Sequence, residues 1–209
     1  MEDLHMYPCK VPFRAITSLV MHPTTGIQKL LHNLLHPRAH HEGIVEALRD
    51  SLDLLQKVTT WEPARTHGKC RVATIDVKDM FMSILPKKAL QICVEEWSAW
   101  RTEQIDAGCP PHPITPEAFR ELLQYSLDHV EAYYGHESFQ QTQGIPMGSR
   151  SSVCIAHLYV GRLFKALRTN GLTDEVEFLG RFVDDVLTLY PQEKEGLGAE
   201  LAKNGQSSA

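Results

Sequence analysis

The chain has 209 residues, 43% apolar and 22% charged, with a net charge of −5. That suits one domain, or one and a part, with a real core. It contains no run of eighteen apolar residues that would span a membrane, no secretory pattern at its start, and no overall basic charge of the kind that marks many nucleic-acid binders.

The charge is uneven. Residues 1–69 carry eight Lys/Arg against seven Asp/Glu, and seven of the eleven His; residues 70–209 carry thirteen Lys/Arg against nineteen Asp/Glu. The five cysteines (9, 70, 93, 109 and 154) are odd in number and scattered. They point to reduced thiols in an intracellular setting rather than to a disulfide framework.

The first predicted element, residues 11–20, is apolar and β-leaning with Arg14 embedded in it. Thr25-Gly26 opens a helical pattern on Ile27, Leu30, Leu31, Leu34 and Leu35, which Pro37 is expected to stop. Residues 42–58 read as a second helix with Ile44, Leu48, Leu52 and Leu55 on one face, and residues 61–68 as a loop. Residues 69–76 read as a strand ending on a carboxylate, Asp76. A turn follows at Asp79-Met80-Phe81-Met82. Residues 87–100 predict a helix buried through Leu90, Cys93, Val94 and Trp97. After a Pro-rich connector, Thr115-Pro116-Glu117 has the chemistry of a helix start: an N-cap hydroxyl, a proline in the first position and an acid in the first turn. Phe119, Leu122, Leu123, Ser126, Leu127 and Val130 continue its pattern.

Residues 133–143 predict a β-ribbon turning at Gly135. A small-residue loop, Gln143-Gly144-Ile145-Pro146-Met147-Gly148-Ser149, then feeds a helix with Val153, Ala156, Val160, Leu163, Phe164 and Leu167 inward. Two apolar β runs meet at adjacent carboxylates in Leu179-Gly180-Arg181-Phe182-Val183-Asp184-Asp185-Val186-Leu187-Thr188-Leu189-Tyr190. Beyond Pro191 the apolar pattern fades, and residues 191–209 read as a disordered tail. The sum is an α+β fold: a small antiparallel sheet backed by helices on one face.

The chemistry concentrates in three places. Adjacent carboxylates on a tight turn repel one another, and a divalent cation relieves that cost. Hard oxygens on a turn suit Mg²⁺, which keeps several waters and takes one or two carboxylates plus phosphates. If the strand ending at Asp76 lies beside the Asp184-Asp185 hairpin, three carboxylates meet at one end of the sheet. Such a set can hold two ions about 3.5–4 Å apart for in-line phosphoryl displacement. Phe81, five residues past Asp76, can stack under a nucleotide sugar or fill core. The Gly144 loop can bring backbone close to something flat, such as a base, because glycine has no Cβ.

These segments resemble known motifs. Asp76-Val77-Lys78-Asp79-Met80-Phe81 resembles motif A of reverse transcriptases, Gln143-Gly144-Ile145-Pro146-Met147-Gly148 motif B, and Phe182-Val183-Asp184-Asp185 motif C. Phe13-Arg14-Ala15-Ile16 is similar to the fingers motif. The motifs run in family order over residues 11–190. The long helical insert between Asp76 and Gln143 and the loop Gly144-Ile145-Pro146-Met147-Gly148-Ser149 most resemble Penelope-like retroelements and the telomerase branch.

The resemblance implies a polymerase palm over residues 70–190, partial fingers over 1–69 and a missing thumb. It implies Asp76, Asp184 and Asp185 as catalytic metal ligands, with Val77 beside them, and two Mg²⁺, or Mn²⁺, as cofactor. Arg14 would meet the triphosphate, Phe81 would gate the sugar, and Gln143 and Gly144 would contact template and nucleotide. The partners implied are an RNA template, a DNA primer and deoxynucleoside triphosphates, with no membrane.

The sequence departs from the family pattern at Arg150, where related sequences often carry proline. An RNA-templated RNA polymerase would share the palm, but a gate built on a ring such as Phe81 points to deoxynucleotides. Two readings of other kinds also stand beside the enzyme. One is a degenerate palm serving as an inactive scaffold. The other is a zinc site on His32, His36 and His40 at i, i+4 spacing, against which Pro37 and the lack of a Cys nearby in sequence favour exposed, unliganded histidines.

Overall fold

In the computed structural model, residues 22–39, 46–61, 69–134, 136–171, 173–174 and 176–192 are described. The expected fingers segment with Arg14, the histidines 40 and 41, and nearly all of the expected tail lie outside them.

Helix α1 spans Thr25–Ala39 and carries Pro37 inside it. The expected stop at Pro37 is therefore wrong. Proline lacks the amide that would bond the Asn33 carbonyl one turn back, so Pro37 costs α1 one backbone bond without ending it.

Helix α2 spans Ser51–Trp61, nine residues later than the expected start at 42. Asp50 and Asp53 set that start. The Asp53 amide donates to the Asp50 carboxylate at 2.8 Å, and the Arg49 amide donates to the Asp53 carboxylate at 3.0 Å. This is a reciprocal cap resembling a capping box. The expected apolar face is also wrong: Leu52 and Leu55 are 75% and 63% exposed, and Asp53 is the buried residue of α2. Ala47 instead bridges to Arg181.

Strand β1 spans Cys70–Asp76 and ends on the carboxylate, as the sequence indicates. A single-turn helix, α3 (Met80–Ser83), follows. Helix α4 runs Pro86–Asp106, and α5 runs Pro116–Asp128 with the Thr115 hydroxyl accepting from the Ala118 amide at 3.2 Å. The ribbon is β2 (Glu131–Tyr134) paired with β3 (Glu137–Gln140) as a separate two-stranded sheet. Helix α6 spans Ser152–Thr169, and the hairpin is β4 (Phe178–Phe182) with β5 (Asp185–Pro191).

The main sheet is antiparallel in the order β1-β5-β4. The Ala47 bridge to Arg181 adds a short parallel segment along β4. Side chains alternate across a strand, so the register divides the sheet into two faces. Ile75, Val186 and Arg181 form one cross-strand row; Asp76, Asp185 and Phe182 form the next, on the opposite face.

The core lies in the helices. On α6, residues 154–160 are buried without interruption, so this helix is covered nearly all round rather than on the single expected stripe, and Val153 is 41% exposed. Trp97 of α4 stacks on Phe119 of α5 at 5.2 Å between ring centroids and on Trp100 at 4.9 Å. Ion pairs from Arg38 to Glu96 (2.8 Å) and from Arg162 to Glu95 (3.0 Å) tie α1 and α6 to α4. These lie near the surface and contribute little beside the packed rings.

Candidate active site at the end of the sheet

Asp76 and Asp185 are direct partners on the β1–β5 ladder. The Val77 amide donates to the Asp184 carbonyl at 3.2 Å, the bond expected just beyond a pair that is not itself hydrogen-bonded. At such a position the Cα atoms approach to about 4.5 Å and the side chains come closest. Two carboxylates brought from 109 positions apart in sequence thus stand side by side at the sheet end, both exposed, with the exposed Phe182 ring completing the row. Like charges opposite one another destabilise a bare sheet.

The turn between β4 and β5 is Val183-Asp184, and Asp185 is already in the strand. Val183 has φ 54°; Asp184 is not in the left-handed region. A positive φ at the first central residue alone is the mark of a type II′ hairpin turn, a place usually held by glycine. A β-branched residue there costs on the order of 1–3 kcal/mol, and such strain concentrates at functional sites. Asp79 has φ 49°, so both non-glycine residues with positive φ among the described ones flank this end of the sheet. Asp tolerates the conformation better than Val.

Asp76 and Asp184 line a cavity of about 180 Å³, together with Val77, Lys78, Phe81 and Met147 among others. Phe81 is half-buried and packs against the helical core. Its carbonyl accepts from the Ile145 amide at 2.8 Å, which docks the Gly144 loop onto the turn after β1. Gly144 has φ +73°, and a Cβ there would lie 2.6 Å from both the Met82 Cα and the Phe81 carbonyl oxygen. The close approach that glycine permits is thus to the chain's own backbone. Gln143 is exposed on the rim of that loop.

The sheet therefore brings together Asp76, Val77, Asp184, Asp185, Phe81 and Gly144. Arg14 falls outside the described residues. Among the described residues no three or more His, Cys, Asp or Glu are gathered closely enough to cage a metal ion. Of the expected histidine set, His40 lies outside the described residues; His32 is half-buried rather than exposed, with Nδ1 3.1 Å from the Arg150 carbonyl and 3.5 Å from the Sγ of Cys154, a thiol distant in sequence, and its ring lies 5.3 Å from that of His36. Lys78 and Met147, which stand in the motifs with no role given by the resemblance, line the cavity, and Arg181 lies behind the turn. No helix among the described residues is long and apolar enough to cross a membrane.

The sequence matches the family described as reverse transcriptase (RNA-dependent DNA polymerase) over residues 9–206. No curated protein matches the chain in sequence. Among solved structures, the fold is similar to telomerase from Candida albicans in complex with a fragment of telomeric RNA (TM-score 0.61, 13% identity, 86% of this chain and 32% of that one). It is similar also to apo telomerase from Candida tropicalis truncated from its C-terminal domain (TM-score 0.61, 13% identity, 90% and 38%) and to the apo form without that truncation (TM-score 0.62, 11% identity, 88% and 33%). The chain spans about a third of the length of these telomerase chains.

Proposed function

Since the chain belongs to the reverse transcriptase (RNA-dependent DNA polymerase) family, we propose that it carries the nucleotide-adding centre of an RNA-directed DNA polymerase. The substrates in this reading are an RNA template, a DNA primer and deoxynucleoside triphosphates. The element of origin is a retroelement of the Penelope-like or telomerase branch. Residues 70–190 serve as palm and residues 1–69 as part of the fingers.

One observation carries the reading: the ladder sets Asp76 against Asp185, and Asp184 lines the same cavity as Asp76. The donor set suits the metal. Asp76, Asp184 and Asp185 offer hard carboxylate oxygens and Val77 a backbone carbonyl, and Mg²⁺ prefers such donors in small number, leaving places for water and phosphate. When bound, the divalent ions would lower the pKa of the primer hydroxyl and neutralise the triphosphate.

The protein's own groups do the positioning. Asp76 and Asp185, held by the ladder, fix where positive charge can sit. Phe81, anchored through its carbonyl to the Gly144 loop, presents a ring at the cavity wall where a 2′-hydroxyl would collide. Gln143, exposed on the rim of the Gly144 loop, faces the template in this reading, and Arg14 meets the triphosphate.

Mn²⁺ titration of the 209-residue chain, followed by its paramagnetic resonance, tests the site. Asp184→Asn and Asp76→Asn each weaken binding at least ~10-fold, and Asp106→Asn on the far end of α4 does not. Addition of one deoxynucleotide to a primer on an RNA template falls to background in Asp184→Asn. Equal Mn²⁺ affinity in all four proteins would sink the reading and leave a scaffold.

A further inference from the structure

The most costly residue near the site is not a carboxylate. Arg181, in β4, is 0% exposed. Alternation turns it away from Asp185 and into the layer between sheet and α6. Its Nη1 donates to the Val183 carbonyl at 3.1 Å and lies 3.4 Å from His157 Nδ1; its Nη2 donates to the His157 carbonyl at 3.4 Å. Its Nε has no hydrogen-bond partner among the described residues. With a guanidinium against Nδ1, His157 must accept there and carry its proton on Nε2.

Charge compensation is indirect. The Glu46 carboxylate acts on it as an opposing charge but is engaged by Arg168. Burial accordingly pulls the Arg181 pKa down, and Glu46 only partly offsets it. A buried cation without a direct carboxylate is expensive, and an apolar side chain of like volume would fill the space more cheaply. What it delivers is specific. The backbone of Arg181 is clamped on the free side of β4, its amide on the Glu46 carbonyl at 2.7 Å and its carbonyl on the Leu48 amide at 2.8 Å. From that fixed base the guanidinium grips the carbonyl of the strained residue Val183. That carbonyl belongs to the planar unit joining Val183 to Asp184, so fixing the oxygen fixes the plane and the direction in which Asp184 leaves it.

We infer that Arg181 is a positioning residue, which holds the Val183-Asp184 turn in its II′ form from behind and so aims Asp184 into the cavity it shares with Asp76. What Asp184 does there rests on the proposed function; that Arg181 holds the turn does not.

Two measurements on the 209-residue chain separate these. In hydrogen exchange read by mass spectrometry, Arg181→Met speeds exchange of a peptide covering residues 181–186 by about tenfold, with a peptide from α5 unchanged; Arg181→Lys, which keeps a donor, falls between. Unchanged exchange at the turn, or an equal rise in α5, overturns the inference. Should the methionine variant fail to fold, the lysine variant and His157→Gln decide by the same ratio of turn to α5. In Mn²⁺ titration, Arg181→Lys binds about tenfold more weakly with all three carboxylates in place; affinity equal to the parent's overturns the aiming of Asp184. A parent chain that binds no Mn²⁺ sinks the proposed function instead, and the exchange ratio still judges Arg181.

Discussion

Two β-hairpins among the described residues are built on opposite terms. The β2–β3 ribbon stands on its own ladder: all of β3 is exposed, Phe139 at 42%, and the ribbon's foot is tied by the Gln141 amide on the Val130 carbonyl at 2.9 Å. The β4–β5 hairpin is held on four sides, by β1, by residues 46–48, by α6 beneath, and by the Arg181 side chain under its turn. An isolated two-stranded ribbon is marginal in water and cannot hold a strained residue or opposed carboxylates. The supported hairpin holds both. The site sits where surrounding structure is dense enough to tolerate what a bare hairpin would relax.

That contrast can be broken from the supports outward. Gly144→Ala drives a Cβ into the backbone of Phe81 and Met82 in a conformation alanine avoids, and is expected to cost about 3 kcal/mol in urea unfolding. Asp53→Ala removes the acceptor for the Arg49 amide, on the segment that pairs with β4, and should cost about 1–2 kcal/mol. The Asp53 carboxyl is held below the usual range, first by that Arg49 amide and against the opposing cost of burial. Its share of stability is therefore present above the ordinary carboxylate pKa and is lost as pH falls through the lowered one.

At the alkaline end the sign reverses. Burial pushes the Cys154 thiol on α6 up to about 11 from 9.0, and Cys93 shifts the same way. The unfolded chain releases these protons first, so melting temperature holds below pH 9 and declines toward pH 11; Cys154→Ala flattens that decline. The smallest effect belongs to the ribbon, where Phe139→Ala stays within about 0.5 kcal/mol of the parent.

The sheet and its carboxylates were plain in the sequence, because short apolar runs bounded by Asp76 on one side and Asp184-Asp185 on the other leave few alternatives. The Thr115-Pro116 start was equally plain, since both cap chemistries act locally. Elsewhere tertiary structure overrode the pattern. Leu48, Leu52 and Leu55 share a helical period, yet Leu48 follows the Ala47 bridge to β4 and packs over Gly180, with its Cδ1 3.0 Å from where a Cβ of Gly180 would stand. The signal against a helix start at 42 was Asp50 and Asp53, three apart. Arg181 was visible too, as a lone charge at an inward position of an apolar strand. Alternation marks it as buried, but only the fold shows what it grips.

The pairing of Asp76 with Asp185 has an evolutionary corollary. Strand faces alternate with every residue, so sliding β1 by a single position along β5 would send Asp76 to the helix side and bring Ile75 or Val77 to the front. Insertions and deletions within 70–76 or 185–191 are thus all-or-nothing events for the site. Lengthening the chain between these strands leaves the alignment intact, which is where this protein places α4, α5, the ribbon and α6.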